Sequence, residues 1–247
     1  MELRFMNWPE VEAYLRTDDR IILPLGSTEQ HGPRAVIGSD HLTVEGIARE
    51  VAQRTGTITA PVIPYGMSLH HLGFPGTLAL RSSTLGLVLR DLIASLEKTG
   101  FKRVLILNGH GGNRAPVESA LAEIVNELPE MKVKFRSWWE AEGVSEYLQE
   151  AFGDREGHHG TPGETSLVMF LHPGVVKEKN VPFPGMRRSE TYPDAKAFKE
   201  LYPDGIIGAD VNLASPEHGK NLFERCVAGM VKELSNRNDL GIGKNGS

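Results

Sequence analysis

The sequence holds one cysteine, Cys226, in 247 residues. No disulfide can close within the chain, and a reducing compartment, the cytoplasm, is the expected setting. No apolar run approaches the roughly 20 residues that span a bilayer. The opening Met-Glu-Leu-Arg-Phe-Met-Asn lacks the basic and apolar regions of a secretory leader. Positive charge is in the minority: 27 Lys and Arg against 32 Asp and Glu leave a formal net charge of −5. With no basic run either, nucleic acid and membrane surfaces are not expected partners. No serine sits in a G-x-S-x-G turn, and Cys226 lies within an amphipathic pattern suited to packing. A covalent nucleophile is therefore not expected. Internal repeats and linkers are absent, so one domain is expected over residues 1–237, with the Gly-rich 238–247 as a disordered tail.

What is present is an alternation of short apolar runs and longer amphipathic ones. Runs at 20–24 and 103–107 and the alternating 131–138 read as strands. The 103–107 run is apolar enough for a central parallel strand buried on both faces. The β-branched 57–63 and the short 78–80 are weaker strand candidates. Helical spacing occupies 41–54, 82–98, 114–128, 142–152, 164–171 and 216–236, with Ser82 or Ser83 as the expected cap of the second. A short helix opens at Trp8-Pro9-Glu10. Residues 172–212 show no period. The alternation gives an α/β fold whose mainly parallel sheet is covered on both faces, and such sheets collect ligands at the carboxyl ends of their strands.

Residues with ligand chemistry gather at those ends. Glu29 and His31 follow the first strand and, two residues apart, point the same way in extended chain. Asp40 stands at the start of the next helix, at an expected N-cap. His110 follows the central strand between glycines, in Asn108-Gly109-His110-Gly111-Gly112-Asn113. That stretch lacks both the G-x-G-x-x-G spacing and the Walker lysine of phosphate loops. His158 and His159 precede Glu164, which opens a helix. The Gly-rich 65–76 carries His70 and His71. Three carboxylates and two histidines suffice for two zinc, manganese or iron ions sharing one group. Two such ions hold a hydroxide at neutral pH and polarise a carbonyl, while a free histidine moves a proton to a leaving nitrogen. The reaction class expected is hydrolysis of an amide-type C–N bond.

These residues resemble the creatininase (creatinine amidohydrolase) family. The resemblance rests on Leu-Pro-Leu-Gly-Ser-Thr-Glu-Gln-His-Gly-Pro at 23–33 with Asp40, and on Phe74-Pro75-Gly76-Thr77. It rests also on the 108–113 motif and on His159-Gly160 with Glu164-Thr165-Ser166, in the family's order. It implies a three-layer α/β/α fold, a two-metal hydrolase and a homo-oligomer, commonly a hexamer. Carried over, Glu29 and His110 bind one divalent metal, His31 the other, and Asp40 bridges them. His159 matches the proton-transfer histidine, with His158 as its alternate. Trp139 matches a substrate-lining tryptophan, and His70, Gly111 and Gly112 complete the expected substrate contacts. Creatininase itself carries Tyr and a metal-binding Glu where this chain has Gly111 and Gly112, so Glu164 is the residue expected to supply the second ion's carboxylate. A further family tryptophan is replaced by Arg155. A small-molecule amide is the expected substrate class. Formamide, peptide or cyclic-compound hydrolysis in the same site is the alternative, and a metal-binding structural subunit the non-enzymatic one.

Overall fold

The computed structural model describes residues 1–187 and 191–235; the expected tail at 238–247 lies outside them. Asn7 starts the first helix by accepting the Glu10 backbone N–H, and the Glu10 side chain accepts from the Asn7 N–H in return. That helix is α1 (Trp8–Leu15). There follow β1 (Arg20–Leu25), α2 (Ser39–Thr55), β2 (Ile58–Thr59), α3 (Ser82–Lys98), β3 (Arg103–Asn108) and α4 (Arg114–Glu127). Next come β4 (Lys132–Ser137), α5 (Val144–Ala151), α6 (Pro162–Leu171), α7 (Ala195–Leu201) and α8 (Pro216–Ser235).

The strands form one sheet in the order β2-β1-β3-β4, and every pairing is parallel. Ile22 lies opposite Leu105, and Leu105 opposite Lys134. All six residues of β1 are buried, as a strand covered on both faces requires. Alternate side chains divide between two cores. Ile22, Leu105 and Leu107 pack with Val44, Ile47 and Val51 of α2, Leu167 of α6, and Leu222 and Val227 of α8. Ile21, Leu23, Val104 and Ile106 pack with Leu85, Leu89 and Ile93 of α3 and Val117 and Ile124 of α4. The result is the three-layer α/β/α sandwich. No helix among the described residues is long and apolar enough to cross a membrane.

Several local expectations need correction. Gly38, not Asp40, is the N-cap of α2, and Asp40 stands in the first turn. Its carboxylate is drawn away into the site described below, so it does not turn back on the helix N–H groups. Arg81 precedes α3 with no side-chain cap, and Ser82 is already helical. The 57–63 run is strand only at Ile58–Thr59, with a single further bridge from Ile63 to Leu25. Residues 78–80 form no strand; Leu78 makes one bridge to Thr28. Within 172–212, Asp194 accepts from the Ala197 N–H and starts α7. Cys226 is packed as expected: it is fully buried, 3.6 Å from the Trp138 carbonyl oxygen, and burial pushes its thiol up.

A polar floor ties the carboxyl ends of β1, β3 and β4 together. Asn108 Nδ2 donates to the His110 carbonyl at 2.8 Å and to Ser137 Oγ at 3.2 Å. Asn113 Nδ2 donates to the Gly26 carbonyl at 3.0 Å and to Asn108 Oδ1 at 3.1 Å. Asn113 Oδ1 accepts the Met67 N–H at 3.0 Å. This network fixes the loops that carry the ligand residues.

Leu105, with no exposed surface, sits in the strand between the two cores. Leu105→Ala should lower stability by about 2–5 kcal/mol, read as a shifted urea midpoint at unchanged slope.

Candidate metal centre

Three loops and two first turns of helices converge above the polar floor. Glu29 and His31 come from the loop after β1, Asp40 from the first turn of α2, and His110 from the loop after β3. His159 precedes α6, and Glu164 lies in its first turn. Glu29 and Asp40 are 0% and 2% exposed, and the three histidines are also buried. Close backbone approach makes this possible. A Cβ on Gly109 would fall 2.4 Å from the Asp40 carbonyl oxygen. A Cβ on Gly112 would fall 2.4 Å from both His110 Nε2 and Met67 O. Gly112 therefore leaves no gap for a missing ligand, because the His110–Met67 contact fills that space.

The hydrogen positions follow from chemistry, since a backbone carbonyl can only accept. His31 Nδ1 lies 3.1 Å from the Glu29 carbonyl and carries its hydrogen there. Its other nitrogen, Nε2, faces Asp40 Oδ1 at 3.0 Å. His110 Nε2 lies 3.0 Å from the Met67 carbonyl, so its other nitrogen, Nδ1, faces Glu29 Oε1 at 3.1 Å and Asp40 Oδ2 at 3.5 Å. His159 Nε2 lies 2.6 Å from the Gln30 carbonyl, and its Nδ1 is 3.6 Å from Glu29 Oε1. Each ring donates outward to main chain and turns its other nitrogen inward, the arrangement found around metal-ligating histidines once a cation has displaced any proton there.

The inward-facing oxygens match. Glu29 Oε2 accepts from Ser27 Oγ at 2.7 Å, while Glu29 Oε1 and Asp40 Oδ2 are buried without a hydrogen-bond partner. Buried carboxylate oxygens without a partner, beside imidazole nitrogens turned inward, call for a cation. Three donor sets each have their ligand atoms within 4.8 Å of one another: Glu29, Asp40 and His110; His31, Asp40 and Glu164; Glu29, His31 and His159. Asp40 belongs to the first two. Glu164 has a second task, since one of its oxygens accepts the Thr161 N–H at 2.9 Å in a capping box. The donor set of imidazoles and carboxylates fits zinc, manganese or iron.

Charge in the metal-free cluster shows the same need. Burial pushes Asp40 and Glu164 up; Glu29 adds to the rise at Asp40, and Asp40 and Glu29 add to it at Glu164. Burial would lower His31, but Asp40 and then Glu164 and Glu29 push it up to about 10. Burial would likewise lower His110, and Glu29 and Asp40 push it up to about 9. Burial would raise Glu29, yet the neighbouring histidines hold it well below the usual carboxylate range. Burial and the His31 charge bring His159 down to about 3, so it is neutral.

The other expected site residues divide. His158 is exposed and lines the wall of a cavity of about 1010 Å³, together with His70, Gly111 and Gly112. His70 stacks edge-on to Phe198 at 5.0 Å. Gly111 faces open space. Trp139 is not brought there. The turn after β4 carries it toward the α2/α6/α8 core, edge-on to Trp138 at 5.5 Å. Arg155 pairs with Asp210 at 3.5 Å. Sequence reasoning missed Gln30 and His71, both buried against the cluster. Their signal was position alone: Gln30 lies between two candidate ligands, and His71 lies just before Phe74-Pro75-Gly76-Thr77.

At pH 7 both His31 and His110 hold protons that an incoming cation must displace. Zinc binding should release protons, on the order of two per chain, seen as a calorimetric heat that varies with the buffer's ionisation enthalpy. Raised folded pKa values favour the protonated, metal-free state, so affinity should strengthen as pH rises from 6.5 toward about 9.

Comparison with known proteins gives one family. The family model described as creatinine amidohydrolase matches residues 4–234. The chain is 28% identical over 250 residues to creatinine amidohydrolase of Pseudomonas putida, covering 93% of this chain and 94% of that one. It is 35% identical over 226 residues to the mycofactocin precursor peptide peptidase of Mycolicibacterium smegmatis, covering 87% and 83%. A manganese form of creatininase superposes with a TM-score of 0.86 at 27% identity, over 96% of this chain and 98% of that structure.

Proposed function

This chain belongs to the creatininase family, and we propose that it is a two-metal hydrolase of amide-type C–N bonds. The observation that carries the reading is the position of Asp40, with His31 at one carboxylate oxygen and His110 at the other. Glu29, Asp40 and His110 would hold one divalent ion; His31, Asp40 and Glu164 would hold the second. Bound there, the ions would polarise the substrate carbonyl and acidify a water.

The chain's own groups supply the rest. His159 is neutral and keeps its hydrogen on Nε2, given to the Gln30 carbonyl. Its Nδ1 is free to take a proton and deliver it to the departing nitrogen. His158, on the exposed cavity wall, stands outside the buried cluster and is the weaker choice. Ser27 holds Glu29 Oε2, which leaves Oε1 for the ion. His70, Gly111 and Gly112 form the side of the cavity on which substrate would rest.

The cavity favours a substrate larger than one small ring. Its volume of about 1010 Å³ and its walls of Met67, Leu69, Phe198 and Tyr202 suit an amide with an apolar body or a short peptide end. Creatinine, a small flat ring, would be poorly enclosed. The homohexamer implied by the resemblance and the cytoplasmic setting expected from the single cysteine complete the proposal; a single-chain mass by light scattering would reject the former.

A panel of lactams, formamides and short peptides, offered to the zinc- or manganese-loaded protein, tests the activity. Turnover should vanish on chelation and return with metal. No turnover on any amide by protein that retains two ions would reject the hydrolase reading. His159→Gln should keep the metals and lower kcat by about 10²–10⁴-fold; a full rate would remove His159 from the proton path. Glu164→Gln should lose one ion of the two while unfolding cooperatively, checked by elemental analysis beside circular dichroism.

A further inference from the structure

Four buried histidines surround Glu29 and Asp40, and three follow one rule. His31, His110 and His159 each give a ring N–H to a backbone carbonyl and turn the other nitrogen inward. His71 differs. Its Nδ1 lies 2.9 Å from a side-chain amide, Gln30 Nε2. Its Nε2 lies 3.5 Å from Glu29 Oε1.

The Gln30 amide admits only one orientation. Its Nε2 is 2.8 Å from the Gly205 carbonyl, which can only accept. Its Oε1 is 2.8 Å from the Gly32 N–H, which can only donate. Turned over, the amide would set oxygen against oxygen and N–H against N–H. Nε2 carries two hydrogens. One serves Gly205. His159 Nε2, 3.0 Å away, cannot accept the other, because it already holds a hydrogen directed at the Gln30 carbonyl at 2.6 Å. The second hydrogen therefore goes to His71 Nδ1. A neutral imidazole that accepts at Nδ1 carries its hydrogen at Nε2, the side facing Glu29.

We infer that Gln30 is a positioning residue that locks His71 in the Nε2–H form, so that His71 presents a hydrogen to Glu29 and does not act as a further imidazole ligand. Glu29 Oε1 is one of the two bare buried oxygens of the cluster. A hydrogen on that side steadies the carboxylate. A lone pair there would repel it and compete for the ion that His110 and Asp40 are placed to hold. The surroundings keep both partners still. The His71 ring lies between His159, at 4.2 Å between centroids, and Phe198, edge-on at 4.8 Å. A Cβ on Gly205, whose φ is +81°, would fall 1.9 Å from Gln30 Oε1, so the backbone there has been kept clear for this amide. The consequence for turnover rests on the metallohydrolase reading; the hydrogen position does not.

Long-range ¹H–¹⁵N correlation on zinc(II)-loaded protein, ¹⁵N-labelled at histidine, reads the ring hydrogens directly. His71 should show a protonated Nε2 and a bare Nδ1. The opposite pattern in the unmodified protein overturns the inference without any variant. Gln30→Glu keeps the size and removes both hydrogens. It should switch His71 to the Nδ1–H form and lower kcat by about 10–100-fold, with KM and zinc content little changed. Gln30→Met, which also keeps the volume, should lower kcat similarly. Full rate in both variants, or a His71 that keeps its form in Gln30→Glu, counts against the role. The expected His71 spectrum in a zinc-loaded protein that hydrolyses no amide would reject the hydrolase reading and leave this one standing.

Discussion

The carboxyl edge of the sheet depends on one buried carboxylate being shared by two imidazoles. Asp40 meets His31 through Oδ1 and His110 through Oδ2, with Glu29 and Glu164 close enough to add two more negative charges. Burying even one ion costs several kcal/mol after relaxation. Three carboxylates in one dry volume stay ionised only if positive charge joins them. In the metal-free chain that charge comes from protons on His31 and His110, and it is incomplete: Asp40 and Glu164 are still pushed toward their neutral forms. Divalent cations would supply what the protons do not. The cluster is thus a place where the fold bears a cost whose return is the ability to hold metal.

That cost explains features of the scaffold remote from the chemistry. A parallel sheet buried on both faces gives rigid strand ends, and β1 and β3 deliver their loops side by side. Asn108 and Asn113 lash those ends together through buried hydrogen bonds. Gly109 lets the β3 loop pass against the Asp40 backbone. Without that close approach, α2 would stand farther from β3, and its first-turn carboxylate would fall short of His110.

Much of the site was legible because its residues are rare types in local patterns. Glu29, His31, Asp40 and His110 lie at strand-to-helix junctions, His159 and Glu164 at the start of a helix, and the structure gathers all six. What was not legible depends on direction rather than position. Trp139 ends a strand at the functional edge, yet its ring turns into the helical core. Asp40 looked like a helix cap, and its side chain leaves the helix for the site. α7 is too short for a period to emerge from its sequence; its start depends on one capping aspartate. Gln30 and His71 are 41 residues apart, so no local pattern could join them.

The same contrast bears on how the site can vary. His31, His110 and His159 are oriented by the carbonyls of Glu29, Met67 and Gln30. A main-chain carbonyl survives any substitution at its residue. These three rings therefore keep the same nitrogen turned inward as long as the loops keep their course, whatever side chains those positions bear. Positions on the cavity wall such as His70 and Gly111 can then change without resetting these rings, because neither supplies one of those carbonyls. His71 alone takes its orientation from a side chain, and its hydrogen rather than its lone pair faces the carboxylate. The ring that donates to Glu29 is thus the one whose setting a single substitution could reverse.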